Sequence, residues 1–145
     1  MYDMSVLKLI YACAIKASIA NAIPVDVVMS VIEVEGGRPG LSVVNSNATQ
    51  DLGVMQINTG AWLNFISDAV FNGNRKLAYD KLKNDVCFNI NVGTWILAES
   101  IRLEKGDIWE GVGRYHSQTN KHKKKYIAKV KKKYTERVVK KNTHF

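Results

Sequence analysis

Hydrophobic positions recur at three- and four-residue intervals almost throughout the chain, the signature of helices with one apolar face. Residues 4 to 20 place Val6, Leu7, Ile10, Tyr11, Ala14 and Ala17 along one side. Pro24 can open a second helix, VDVVMSVIEVE, which Gly36 and Gly37 should end. About twenty residues rich in Asn, Ser and Gly follow, a length uncommon for connections in compact domains and often tied to function. Within them, Val43-Val44 and Val54-Met55 suit a short β-like excursion. A helix is expected from Thr59 through GAWLNFISDAVF, broken by the NGN at 72–74. Asn84 or Asp85 can cap another, carrying Val86, Ile90, Gly93, Ile96, Leu97 and Ile101 and ended by Gly106. IWEGVGRYHS supplies a further short helix, and a basic tail closes the chain. With no internal repeat and no linker, the pattern predicts one mostly α-helical domain over 1–145, its basic helical tail beginning at about residue 119.

Composition changes little in this picture. A chain of 145 residues, 46% hydrophobic and 23% charged, can bury a sizeable core and reads as an ordinary globular protein. No apolar run approaches the roughly 20 residues that cross a bilayer, so no membrane span is expected. The opening MSVLKLIYACAIKASIANA has a signal-like flavour, but Lys8 and Lys16 interrupt it and it reads as a first helix.

Charge changes the picture more. Residues 1 to 113 carry nine Lys and Arg against twelve Asp and Glu, whereas residues 114 to 145 carry twelve against one. The net charge of +8 therefore belongs to the tail, KHKKKYIAKVKKKYTERVVKK. Such a segment attracts polyanions (nucleic acid, a membrane surface, an acidic wall polymer) or is simply a solvated helix with a charged outer face. A nucleic-acid module would welcome Tyr126 and Tyr134 among the lysines. The slightly acidic body and the lack of a recognisable nucleic-acid motif speak against that reading.

The two cysteines, Cys13 and Cys87, are too far apart for a CxxC motif and no histidine cluster accompanies them, so no metal site is expected. In an exported protein the pair would most simply be one disulfide, and in a cytosolic one two small core residues.

The candidate chemistry lies between residues 33 and 58. Glu33 and Glu35 are two apart, so on a helix they face roughly 200° away from each other. Glu35 shares its face with Val28, Val31 and Ile32. A carboxyl on an apolar face is desolvated, which favours the protonated form that a general acid needs. The glycines after Glu35 would open space for a large substrate. Asp51, sixteen residues on, stands among Thr49, Gln50 and Gly53, where it can stay solvated and ionised. Two carboxyls in unlike surroundings split acid and base roles, and lysozyme is the worked example of that principle. Taken alone, Asp51 reads more readily as an Asx-type turn residue than as a catalytic group. Gly53 permits close backbone approach by a ligand. Gln56 and Asn58 can offer amides to acetamido and hydroxyl groups, or else brace the loop.

Four ordered segments, VIEVEGG, DLGVMQIN, NINVGTWIL and GRYHS, resemble the motifs of the lysozyme-like lytic transglycosylases. More narrowly, they are similar to the small specialised members that accompany type III and type IV secretion, conjugation and pilus systems. The resemblance covers about residues 8 to 130. It implies a lysozyme-like domain that cleaves the β-1,4 bond between N-acetylmuramic acid and N-acetylglucosamine in peptidoglycan, with Glu35 as the acid/base. Gly53, Met55 and Gln56 match the family's G-x-M-Q motif. Its A-Y-N motif is altered here to Arg114-Tyr115-His116, so Tyr115 is retained as a substrate-binding residue and His116 is not carried over. Asp51 also resembles the second carboxylate of animal-type lysozymes, which leaves a hydrolytic outcome open beside the transglycosylase. The resemblance further implies a Cys13–Cys87 disulfide and a periplasmic or exported protein, any export signal having been removed. It requires no cofactor, and gives peptidoglycan strands, with secretion, conjugation or pilus components, as partners. Nothing in the sequence calls for more than a monomer.

Overall fold

The computed structural model describes residues 3–142, so positions 1–2 and 143–145 of the expected 1–145 domain lie outside the described residues. Seven helices and three short strands follow one another: α1 (Met4–Asn21), α2 (Val25–Glu35), β1 (Ser42–Val44), β2 (Gln50–Leu52), β3 (Ile57–Asn58), α3 (Thr59–Val70), α4 (Arg75–Asn84), α5 (Val86–Leu103), α6 (Ile108–His116) and α7 (Asn120–Asn142). The mostly α architecture with a small β insertion is the one expected of a lysozyme-like domain.

Local chemistry sets most of these limits. Asn58, Asn74 and Asp107 each accept a hydrogen bond from the backbone two or three positions into the following helix, capping α3, α4 and α6. Asp85 does the same for α5, accepting from Phe88 N at 2.9 Å. Gly36 and Gly106, both at positive φ, follow the ends of α2 and α5. The strands are antiparallel in the order β1-β2-β3, with Val43 opposite Asp51 and Asp51 opposite Asn58. Two sequence expectations change here. The second strand is Gln50–Leu52, while Val54 and Met55 lie in the turn that follows it. Asp51 consequently belongs to a strand, not to an open loop, because the turn at Asn45–Thr49 closes a hairpin through Asn45 N donating to Thr49 O at 2.8 Å.

The chain forms two compact units. The first joins the described residues up to Cys13 to Glu35–Gly93, and the second joins Ala14–Val34 to Thr94 and the described remainder. In the first, Leu52, Val54, Met55, Ile57, Leu82 and Ile90 are fully buried. A disulfide between Cys13 and Cys87, with Cα atoms 5.3 Å apart, ties its N-terminal segment to α5.

In the second unit, the buried side chains include Val28, Val31, Ile32, Leu97, Val112 and Val130. Gly111 and Gly113 of α6 are buried, the first against Ile101 and the second against Lys123 and Ile127 of α7. Lys123 pairs with Glu104 at 2.9 Å and Glu110 at 3.2 Å. The hydrogen bond that Lys123 donates to Glu104 raises the Lys123 ammonium above its ordinary range and lowers the Glu104 carboxyl below its own. Arg137 and Lys141 close on Asp26 at 3.4 and 2.7 Å, and Arg137 also reaches Glu33 at 2.7 Å. Burial pushes the Asp26 carboxyl up, but Lys141 and Arg137 outweigh it and hold the group below its ordinary value.

By length and composition alone, α1 is apolar enough to cross a bilayer, a property that core helices and signal sequences share, and among the described residues no other helix has it.

Candidate active site

Glu35 is the last residue of α2 and is half-buried, whereas Glu33 points outward to Arg137. Its predicted face-mates Val28, Val31 and Ile32 are all buried. The two glycines that follow do different things. Gly36 turns the chain at φ 66°, and a Cβ there would meet nothing within 4 Å. Gly37 is buried, and a Cβ on it would strike the Gly53 carbonyl and lie 2.8 Å from the Val54 carbonyl oxygen. Only the first glycine therefore opens space. The second lets the corner after Glu35 lie directly on the turn after β2, backbone on backbone, where any side chain would intrude.

That turn carries the motif residues. Gly53, at φ 69°, is buried; its Cβ would fall 2.5 Å from Asn89 Nδ2 and 2.6 Å from the Leu82 carbonyl oxygen. The close approach it permits is thus to α4 and α5. Met55 is completely buried and fills the space beside Gly93, where a Cβ would sit 2.5 Å from its sulfur. Gln56 adopts φ 54°, sparsely populated for a residue with a side chain, and its Nε2 donates to Gly53 O at 2.9 Å and more weakly to Asp51 O at 3.4 Å. Its amide braces the turn from within.

Asp51 is half-buried on β2, and its Oδ1 accepts from Asn58 Nδ2 at 2.9 Å. The same Asn58 amide donates to Thr49 Oγ1 at 2.9 Å, while Asn58 Oδ1 caps α3 by accepting from Ala61 N. A carboxylate held between a strand and a helix cap is fixed in place, as a group that stabilises developing charge needs to be. Both predicted amides, Gln56 and Asn58, are therefore engaged as braces.

Six of the predicted site residues, Glu35, Asp51, Gly53, Met55, Gln56 and Asn58, fall in the first unit. Tyr115 lies in the second, half-buried on α6. Its neighbours in sequence have structural partners there. Arg114 reaches Glu104 at 3.4 Å, and the His116 ring stacks on Tyr126 with centroids 4.5 Å apart.

The residue that sequence reasoning missed is Asn89. It is 1% exposed, on α5, and its three hydrogen bonds all go to backbone. Oδ1 accepts from Met55 N at 2.8 Å, and Nδ2 donates to Leu52 O at 2.9 Å and Leu82 O at 2.7 Å. One side chain thus pins β2, the motif turn and the end of α4 together. The available signal was a lone amide on the apolar side of a helix, which has to find partners if it is buried. Among the described residues, no group of three or more His, Cys, Asp or Glu is placed to hold a metal ion.

A mostly helical domain in which the helix ending at Glu35 leads onto a small three-stranded antiparallel sheet has a lysozyme-like architecture. The family model for the transglycosylase SLT domain matches residues 12–139, and the chain belongs to that family. Membership makes it a peptidoglycan-cleaving enzyme of the lytic transglycosylase type. Among curated proteins it is similar to Protein IpgF of Shigella sonnei and of Shigella flexneri, each 31% identical over 116 residues, which cover 78% of this chain and 70% of the relative.

Proposed function

We propose that this enzyme cleaves the β-1,4 bond between N-acetylmuramic acid and N-acetylglucosamine, with Glu35 as the catalytic acid and base. The observation that carries the reading is the contact of Gly37 with the carbonyls of Gly53 and Val54, which makes the end of the Glu35 helix and the Asp51 hairpin parts of one unit.

Glu35 donates its proton to the glycosidic oxygen as the C1–O bond breaks and an oxocarbenium-like state develops. The muramoyl 6-hydroxyl then attacks C1, and its proton passes to the Glu35 carboxylate. A 1,6-anhydro ring closes, no water is consumed and the acid is restored. Asp51, held by Asn58, supplies a negative charge that stabilises the cation. The same placement of Asp51 supports the second reading, a muramidase in which Asp51 traps or shields the sugar until water completes hydrolysis. Tyr115 is carried as a substrate-binding residue. The work proposed is local opening of the wall for a secretion, conjugation or pilus apparatus in the periplasm, by a monomer that uses no cofactor. The disulfide supports an oxidising compartment.

The test is to incubate the protein with peptidoglycan sacculi and weigh the released muropeptides. Products lighter by one water than reducing-end muropeptides identify the transglycosylase. Reducing ends identify the muramidase, and release of neither refutes both.

A further inference from the structure

We infer that the outward face of α7 is an electrostatic dock for the carboxylates of peptidoglycan. The inference rests on the proposed substrate.

The cations of α7 divide into two sets. Lys123, Arg137 and Lys141 are paired with Glu104, Glu110, Asp26 and Glu33, the first buried, the second half-buried and the third exposed. Lys131 lies over the Trp109 ring, 5.4 Å from its centroid. Lys121, Lys125, Lys129 and Lys132 are exposed and follow one another at helical spacings of four, four and three, so they form one stripe about 16 Å long at 1.5 Å per residue. Lys124 flanks it. Among the described residues, no acid pairs with any of these five. The only acid on α7, Glu136, is engaged by Lys133. A helix needing charge only for solubility would not segregate its paired and unpaired lysines this way.

The composition of the stripe selects the partner. Stacking nucleic acid would need exposed aromatics beside the lysines, but Tyr126 is buried against His116 and Tyr134 packs edge-on to Trp109. A membrane-surface helix would carry large apolar side chains along its outer face, whereas here only Ala128 and Val139 interrupt the polar residues. No arginine fork on that face offers bidentate phosphate recognition, since Arg137 is paired with Asp26 and Glu33. Lysines are compact point charges, suited to spaced carboxylates such as those the stem peptides carry along the glycan.

The test measures retention of the full chain, carrying Glu35→Gln to spare the polymer, on purified sacculi across a salt series. The quadruple variant Lys121→Gln, Lys125→Gln, Lys129→Gln, Lys132→Gln in the same background should bind on the order of tenfold more weakly with a shallower salt dependence, as expected for several exposed ion pairs. Amidating the carboxylates of the sacculi should weaken retention of the unsubstituted stripe to the level of the quadruple variant and abolish the difference between the two proteins. With Glu35 intact, the quadruple variant should cleave a short soluble glycan at the unmodified rate. Equal retention of both proteins, undiminished retention on amidated sacculi, or tighter binding to duplex DNA or phosphatidylglycerol vesicles than to sacculi would overturn the dock. Salt-dependent retention without any cleavage by the unmodified chain would sink the proposed function and leave the dock standing.

Discussion

Replacing Asn89 by alanine tests whether the motif turn is held from behind. The change deletes three hydrogen bonds to backbone groups in a buried place. The buried Met55 N–H loses its Asn89 acceptor, at about 1–3 kcal/mol, and two carbonyls lose a donor each, at roughly 1 kcal/mol apiece. The expected loss is about 3–5 kcal/mol, a large share of the roughly 5–15 kcal/mol that keeps a domain folded. Urea denaturation measures it directly. Muropeptide release, assayed where the variant is still folded, should fall further than the unfolded fraction explains, because Gln56 and Asp51 flank the released turn. Asn89→Asp should rescue little, since it keeps the acceptor for Met55 but loses both donated bonds. Nor should Asn89→Ala make room for Gly53→Ala: the Leu82 carbonyl oxygen would still lie 2.6 Å from the new Cβ, and φ would remain 69°. A loss below about 1 kcal/mol with unchanged activity would show that the turn holds its shape without Asn89.

Glu35→Gln should abolish muropeptide release, while Asp51→Asn should reduce it less if the product is anhydro; equal losses in the two variants would favour the muramidase. Gly37→Ala should destabilise by about 2 kcal/mol or more, seen as a lower urea midpoint, since the collision is with backbone and not with a yielding side chain. Reduction of the disulfide, whose cysteines are 74 apart in sequence, should cost about 4 kcal/mol by loop-closure entropy, measured as a drop in Tm with dithiothreitol. Because the Asp26 carboxyl is held below its ordinary 3.8, its contribution to stability is complete above about pH 4 and lost as the pH falls below that. Stability curves of wild type and Asp26→Asn should therefore converge in acid, and parallel curves would contradict the assignment.

The helices with an apolar stripe were legible because burial imposes a period. Pro24 and Gly36 marked the ends of α2, and the NGN at 72–74 marked a break just past the end of α3. Helix α4 was not foreseen: RKLAYDKLKN buries only Ala78 and Leu82, too few positions to establish a period, and its start depends on the Asn74 cap. The strands, of three, three and two residues, were too short for alternation to show. Asp51 was found by its type and spacing, but its attachment to Asn58 arises from cross-strand pairing that a linear reading does not contain. Gly37 and Gly53 were noticed as glycines, yet their neighbours are distant backbone carbonyls and an α5 amide, visible only once the chain has folded.

The Cys13–Cys87 bond has a consequence for how the protein can be trimmed. Helix α1 has a length and hydropathy that signal sequences share. Yet Cys13 lies inside it and is covalently joined to α5. Any processing cut beyond residue 13 would discard one half of the crosslink and strand a lone thiol at Cys87. Truncated versions made for expression should therefore keep α1 from at least Cys13 onward, and a cut beyond it should lose the stability that the crosslink adds.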